Sequence, residues 1–189
     1  MPVQRIPRYV LLYQDLLRNT QEEHADYENC LNALDNIREI ADFVNEEKRI
    51  AEDLQQVLSL EDSISSSPQP LVVKGRKLVQ EDELVVASEK AKTFRSLLFN
   101  DSLVLCVPFS GSSMSISSLL TSAKKWKVVH FVRLLDCEIT DLKDRHDRQH
   151  AITLDVKRKE YTILFDSADG KRTWTDTFYN TRARAPLRL

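Results

Sequence analysis

The side chains that could make or break bonds are sparse and scattered. His24, His130, His146 and His150 are spread along the chain, and none pairs with a cysteine or carboxylate at metal-ligand spacing. Cys30, Cys106 and Cys137 are odd in number, far apart and flanked by apolar residues, which marks them as small core hydrophobes and not a disulfide set or metal site. Gly75, Gly111 and Gly170 are isolated, so no glycine-rich loop is available to cradle a phosphate. Covalent catalysis, a metal and a cofactor are therefore not expected. What remains is non-covalent recognition, by guanidinium and ammonium groups that donate several hydrogen bonds and by amides that both donate and accept.

Two kinds of element must position those groups. Pro2 and Pro7 suit a helix start, with Pro7 in the first turn, where a missing amide hydrogen costs little. From Arg8 to about Asn19, Tyr9, Leu12 and Leu16, with a second row at Tyr13 and Leu17, recur at three- and four-residue spacing and predict a short helix. Asn19-Thr20 breaks the pattern, and a longer helix opens at Asp26. Its apolar positions are Tyr27, Leu31, Leu34, Ile37, Ala41 and Val44, then Ala51, Leu54 and Leu58, with no glycine or proline between residues 21 and 67. At about 1.5 Å per residue this is a rod of roughly 50 Å. Tyr9, Leu12, Leu16, Leu31, Leu34 and Ile37 are assigned to a core. Yet the stripe of so long a helix needs a cover that the first helix supplies only in part.

Ser65-Ser66-Ser67-Pro68-Gln69-Pro70 closes the helical part as a turn-forming segment, and the period then changes to alternation. Lys77–Val79 and Leu84–Val86 predict a first strand with a polar bulge over Gln80–Glu83. Phe94–Phe99 and Leu103–Val107 flank the tight-turn signal Asn100-Asp101-Ser102. Beyond a Ser-rich loop, Gly111 to Lys125, further strands fall at Lys127–Leu134, Cys137–Thr140, Ala151–Val156 and Tyr161–Phe165, the last two joined by a charged turn at Lys157-Arg158-Lys159. Asp166 to Tyr179 reads as a helix capped by Ser167 with Trp174 and Phe178 on one face, and Thr181 to Leu189 as a tail. Seven short antiparallel strands and one terminal helix make an α+β chain whose second part is a small barrel plugged by that helix.

Charge divides the chain at the same place. Residues 1–64 hold 6 Lys+Arg against 14 Asp+Glu, and residues 65–189 hold 21 against 15, so a net charge of −2 conceals an acidic helical part and a basic remainder. The first suits a basic protein partner and the second tolerates anionic lipid headgroups. The cations lack the helical stacking and interleaved aromatics of a nucleic-acid surface, and no nucleic acid is expected. The longest near-apolar stretch, residues 96–109, is interrupted by Asn100 and Asp101 and is too short to cross a bilayer; with no basic leader ahead of an apolar segment, a cytoplasmic protein, peripheral at most at the plasma membrane, is expected.

The string Pro2-Val3-Gln4-Arg5-Ile6-Pro7-Arg8-Tyr9, followed by Leu11-Leu12, Leu16-Leu17-Arg18 and a long helix bearing Val44-Asn45, resembles the last conserved block of the Dbl-homology domain of Rho guanine nucleotide exchange factors. Residues 71–181 resemble a pleckstrin-homology domain in strand count, order and the position of Trp174, which takes the place of that family's near-universal tryptophan. The two in tandem are characteristic of this class. The resemblance gives a C-terminal portion of a Dbl-homology helical domain over 1–64, a linker over 65–73, a pleckstrin-homology domain over 74–181 and a tail over 182–189.

The resemblance implies a guanine nucleotide exchange factor for a Rho-family small GTPase, which releases nucleotide by binding the nucleotide-depleted GTPase most tightly through its switch regions. The family's switch contacts in this block fall on Arg8 and Asn45, while Gln4 and Arg5 brace the helix start. The family's first conserved region, with a glutamate that orders the switch, has no counterpart in these residues, so the fragment alone is expected to exchange slowly or not at all. The second resemblance implies phosphoinositide binding through Lys77, Lys90, Lys92 and Arg95, with Lys124, Lys125 and Lys127 flanking the Ser-rich loop. Lys92-Thr93-Phe94-Arg95 departs from the usual Lys/Arg-x-Arg spacing. The alternative function is a non-catalytic adaptor that binds membrane or protein through the barrel.

Overall fold

The computed structural model describes residues 5–88, 92–109, 126–145 and 149–186. Its contacts divide into two units, Met1–Glu52 and Asp53–Leu189.

The first unit holds α1 (Arg5–Arg18) and most of α2 (Tyr27–Ser63). Helix α1 begins three residues before Arg8, so Pro7 sits in its first turn. It ends where Asn19 Nδ2 donates to Asp15 O at 2.7 Å and Thr20 Oγ1 donates to Leu16 O at 2.8 Å, partners for carbonyls that the helix itself leaves open. The ion pairs Arg38–Asp35, Arg49–Glu46 and Lys48–Glu52 lie one turn apart on the surface of α2 and contribute a few tenths of a kcal/mol each, roughly. The expected core fails here. Of its six residues only Leu34 is buried and Ile37 half-buried, whereas Tyr9, Leu12, Leu16 and Leu31 are 40–61% exposed. Ile40, Phe43 and Ile50 are exposed too. One helix hides one stripe of its neighbour, and each of these helices carries apolar residues well beyond a single stripe.

The second unit is an eight-stranded sheet: β1 (Ile64–Ser66), β2 (Leu78–Val86), β3 (Lys92–Phe99), β4 (Ser102–Pro108), β5 (Trp126–Arg133), β6 (Cys137–Asp141), β7 (Ala151–Val156) and β8 (Lys159–Leu164), followed by α3 (Ala168–Arg184). The order is β1-β5-β4-β3-β2-β8-β7-β6. Seven strands pair antiparallel as the alternation predicts. The eighth, β1, comes from the segment read as a turn and pairs parallel with β5. The polar residues of β2 form no bulge: the ladder to β3 is regular from Gln80 to Val86, and its register shifts between Leu78 and Gln80. They are tolerated because β8 pairs β2 only at Val85 and Val86, leaving the rest of that edge open. The tail also begins later than expected, since α3 runs on to Arg184 and nearly buries Thr181.

Alternation sends two sets of side chains to opposite faces. On the inner face Leu84, Leu98, Leu103, Leu105, Leu154 and Ile163 close around Trp174 and Phe178 of α3. Ser167 caps that helix as expected, accepting from Gly170 N at 3.0 Å. On the outer face Leu97, Phe99, Val104 and Phe131 meet Val57 and Leu60 from the end of α2, Ile64 of β1 and Leu71. Each fully buried side chain of this size contributes about 1.5–3 kcal/mol. Arg76 seals the outer cluster: its guanidinium donates to both Asp101 carboxylate oxygens and to the carbonyls of Pro70 and Leu71, and lies over the rings of Phe99 and Phe131.

Candidate functional site

Within the first unit, Arg8 lies in the second turn of α1 and Asn45 in the middle of α2. Both are exposed, and neither side chain forms an ion pair or hydrogen bond with a described residue. A guanidinium and an amide left unspent in this way can bond a partner's carbonyls and carboxylates without first breaking an internal bond. By contrast Arg38 and Arg49, on the same long helix, are engaged by neighbouring carboxylates.

Of the seven cations expected to bind lipid headgroups, Lys77, Lys92, Arg95 and Lys127 are described, and they are engaged differently. Lys90, Lys124 and Lys125 lie outside the described residues. Lys77 pairs with Asp53 at 3.3 Å. Arg95 donates to Glu81 at 2.6 Å and to Ser63 Oγ at 3.3 Å, and its guanidinium stacks 5.1 Å from the Trp126 ring centroid, so it braces the outer face of the sheet. Lys127 is exposed on β5. Lys92 borders a cavity.

That cavity, about 690 Å³, opens between the start of β3, the end of β4, the middle of β5 and the start of β8. Lys92 and Lys159 stand on its rim, Phe94, Val107 and Val129 form apolar wall, and His130 and Tyr161 meet inside it. His130 Nε2 and the Tyr161 hydroxyl are 2.7 Å apart. Phe94 sets its edge against the Tyr161 ring at 5.2 Å and 89°, which fixes the hydroxyl's direction. Burial, then the charges of Lys159 and Lys157, hold the His130 imidazole below its ordinary range, so it is neutral at neutral pH. His130 shares the inward face of Val132 by simple alternation, and a bulge just before it, where Leu105 faces His130 and Cys106 faces Val128, leaves Val129 extra on β5 and turns Val128 to the outer cluster. Lys157 and Arg158 make the two-residue turn between β7 and β8 with φ of 53° and 65°, a conformation in which Asn-Gly is easier.

Sequence reasoning missed Lys159, His130 and Tyr161 as a group. The sequence places Lys159 in a charged turn and gives His130 no cysteine or carboxylate at metal-ligand spacing. Alternation from Val132 back to His130 already gives the inward face of β5, but which side chains of β3 and β8 meet the imidazole there is set by strands far apart in the chain. Cys106 and Cys137 are buried, and burial pushes their thiols up to about 11 and about 12, which leaves them un-ionised and inert as nucleophiles.

A family model for the RhoGEF domain matches residues 1–45. A guanine exchange factor for Rac 30 from Dictyostelium discoideum is 43% identical over 103 residues, which is 54% of this chain and 6% of that protein. Rho guanine nucleotide exchange factor 17 of Mus musculus is 35% identical over 152 residues, 73% of this chain and 7% of that protein. The chain thus spans only a small part of the length of these curated relatives. A solved structure of autoinhibited Vav1 superposes on 95% of the chain and 32% of its own length, with a TM-score of 0.70 at 27% identity. No described helix is long and apolar enough to cross a membrane. The chain thus carries the C-terminal part of a RhoGEF domain followed by the sheet and closing helix of a pleckstrin-homology domain, the tandem seen in the Rac and Rho exchange factors it resembles.

Proposed function

We propose that this chain takes part in guanine nucleotide exchange on a Rho-family small GTPase, offering Arg8 and Asn45 to the switch segments of the nucleotide-depleted form. One observation carries the reading: the 45 residues matched by the RhoGEF model hold both side chains, exposed and without a described partner. Relatives named as exchange factors for Rac and for Rho support the choice of GTPase class. Catalysis of this kind needs no covalent step. It requires only that the contacts be stronger with the empty GTPase than with the nucleotide-bound one.

Binding of this chain to Rac- and Rho-type GTPases stripped of nucleotide, followed by fluorescence anisotropy, tests the reading. Arg8→Glu and Asn45→Ala are expected to weaken the complex, each by about 1–3 kcal/mol, or roughly fivefold to a hundredfold. Both positions are exposed, so thermal unfolding should not move. Equal binding by wild type and both variants would show that this face is not the contact. With many apolar side chains of α1 and α2 open to solvent, the chain by itself is expected to leave release of labelled nucleotide near the intrinsic rate; rapid release would contradict this.

A second reading concerns the barrel. Lys92 and Lys159, on the rim of one cavity, favour an anionic lipid headgroup, which would hold the protein at the cytoplasmic membrane surface. Lys92→Ala and Lys159→Ala should each lower affinity for phosphoinositide vesicles by about 1 kcal/mol, roughly fivefold, with Lys127→Ala a weaker effect. Co-sedimentation at physiological salt, against phosphatidylcholine alone, is the measurement. An unchanged affinity in the double variant Lys92→Ala/Lys159→Ala would remove this reading.

A further inference from the structure

The cavity holds more than its two lysines. His130 and Tyr161 share one hydrogen bond, and in the neutral pair the hydroxyl proton can be spent on Nε2. Protonating the ring changes both partners at once. Nε2–H then donates to the tyrosine oxygen, the hydroxyl proton is released to point into the cavity, and a positive charge appears beside it. Among the described residues, Lys92 from β3 and Lys159 from β8 border the cavity that holds this pair, Lys157 lies in the adjoining turn, and β4 contributes the apolar Val107 and Pro108. These charges are positive, and those of Lys159 and Lys157 oppose the proton. An anion lying among them would cancel that opposition.

We propose that the β3–β4–β5–β8 cavity binds a phosphate-bearing anion together with a proton on His130, so that the barrel takes its ligand more tightly as pH falls. The proposal rests on the second reading above and adds its regulation. Lys92 and Lys159 supply constant charge, while His130 supplies a charge, and through Tyr161 a hydrogen-bond donor, only when protonated. The strained Lys157-Arg158 turn fits the same arrangement, because it keeps cations near the rim where Asn-Gly would fold more easily.

The direction follows from linkage. Free, His130 is held below its ordinary value by burial and by the lysines. Bound, it gains an anionic neighbour and rises. Affinity is lowest where both forms are neutral, climbs as pH falls through the bound value, and levels off below the free value. A separation of one pH unit gives a tenfold gain. Phosphomonoesters also titrate near pH 6 and lose charge on the acid side, so the wild-type ratio must be read against a variant that cannot protonate.

The test compares this chain with its His130→Gln variant at about pH 7.5 and about pH 5.5. The probes are phosphatidylcholine vesicles containing phosphatidylinositol 4,5-bisphosphate, soluble inositol trisphosphate and inorganic phosphate. Vesicle binding without soluble binding identifies a lipid surface as the source, and equal binding of the soluble headgroup identifies the phosphates themselves. The ratio of acid to neutral affinity is expected to be fivefold to tenfold greater in wild type than in His130→Gln, and the His130 ring resonance should titrate at higher pH with inositol trisphosphate than without. Tyr161→Phe should keep part of the acid gain, losing the donor but not the charge. Binding that persists with the same ratio in both proteins, or a ring resonance unmoved by ligand, overturns the proton coupling and leaves the second reading standing. Absence of binding at both pH values overturns both.

Discussion

Replacing Asp101 with alanine is expected to lower the unfolding free energy of the barrel unit by about 3–5 kcal/mol, a large part of the roughly 5–15 kcal/mol available to a domain. Asp101 and Arg76 are 5% and 7% exposed, so removal of the carboxylate leaves a guanidinium charge with neither water nor a counter-ion. Three donor contacts of 2.6–3.0 Å are lost with it, as is the acceptor for the Ser102 hydroxyl. What remains for Arg76 is the Pro70 and Leu71 carbonyls and the faces of Phe99 and Phe131, which orient a cation without neutralising it.

The pair as such need not stabilise. Two charges withdrawn from water recover through their attraction about what their desolvation costs, and an apolar pair of similar volume can equal them. Arg76→Met with Asp101→Leu should therefore be less destabilising than Asp101→Ala alone. Urea unfolding followed by tryptophan fluorescence measures all three, and a single variant within about 1 kcal/mol of wild type would show that water reaches the pair. Hydrogen exchange locates the damage. The Leu71 amide donates to Glu61 Oε1 at 3.0 Å beneath the Arg76 strap, and should lose protection before the inner core around Phe178 does.

This pair also marks where the sequence stops being readable. Asn100-Asp101-Ser102 announces a hairpin turn, and β3 and β4 meet there as expected. Nothing local says that Asp101 also turns back across 25 residues to an arginine in the connecting segment. The same limit explains β1, whose three residues are ordered by β5 far along the chain. Signals carried within one turn survive better. The Ser167 cap, the Trp174–Phe178 face of α3 and the alternation of β7 all appear where the residues place them. The helical unit inverts the lesson. Its periodicity is legible, but periodicity says only that a face is apolar, and what covers that face is a property of neighbours. Tyr9, Leu12 and Leu16 are thus a stripe without being a core. At the candidate sites the pattern repeats. Arg8 and Asn45 are named from two local strings and a family resemblance, whereas His130, Tyr161 and Lys159 come together only where strands far apart in the chain line one cavity.

Phe178→Ala should destabilise the barrel unit by about 3–5 kcal/mol, comparable to the loss of Asp101 but from the opposite face of the sheet. Phe178 is fully buried, its ring stacked on Trp174 one turn earlier with centroids 5.7 Å apart and planes 15° apart, and Tyr179 meets it edge-on. The void would open among sheet residues held by hydrogen-bonded ladders, which cannot collapse into it. Trp174 behaves differently, because its indole Nε1–H is buried with no partner among the described residues. Trp174→Phe removes that orphaned donor as well as part of a ring, so relief of about 1–3 kcal/mol offsets much of the cavity cost, and it should be far milder than Trp174→Ala. Chemical denaturation of the three variants gives the ranking, with far-ultraviolet circular dichroism to show that α3 still forms. A Trp174→Phe variant as unstable as Phe178→Ala would mean that the indole nitrogen has a hydrogen-bond partner after all, a buried water being the simplest, and that the inner core is wetter than its apolar lining suggests.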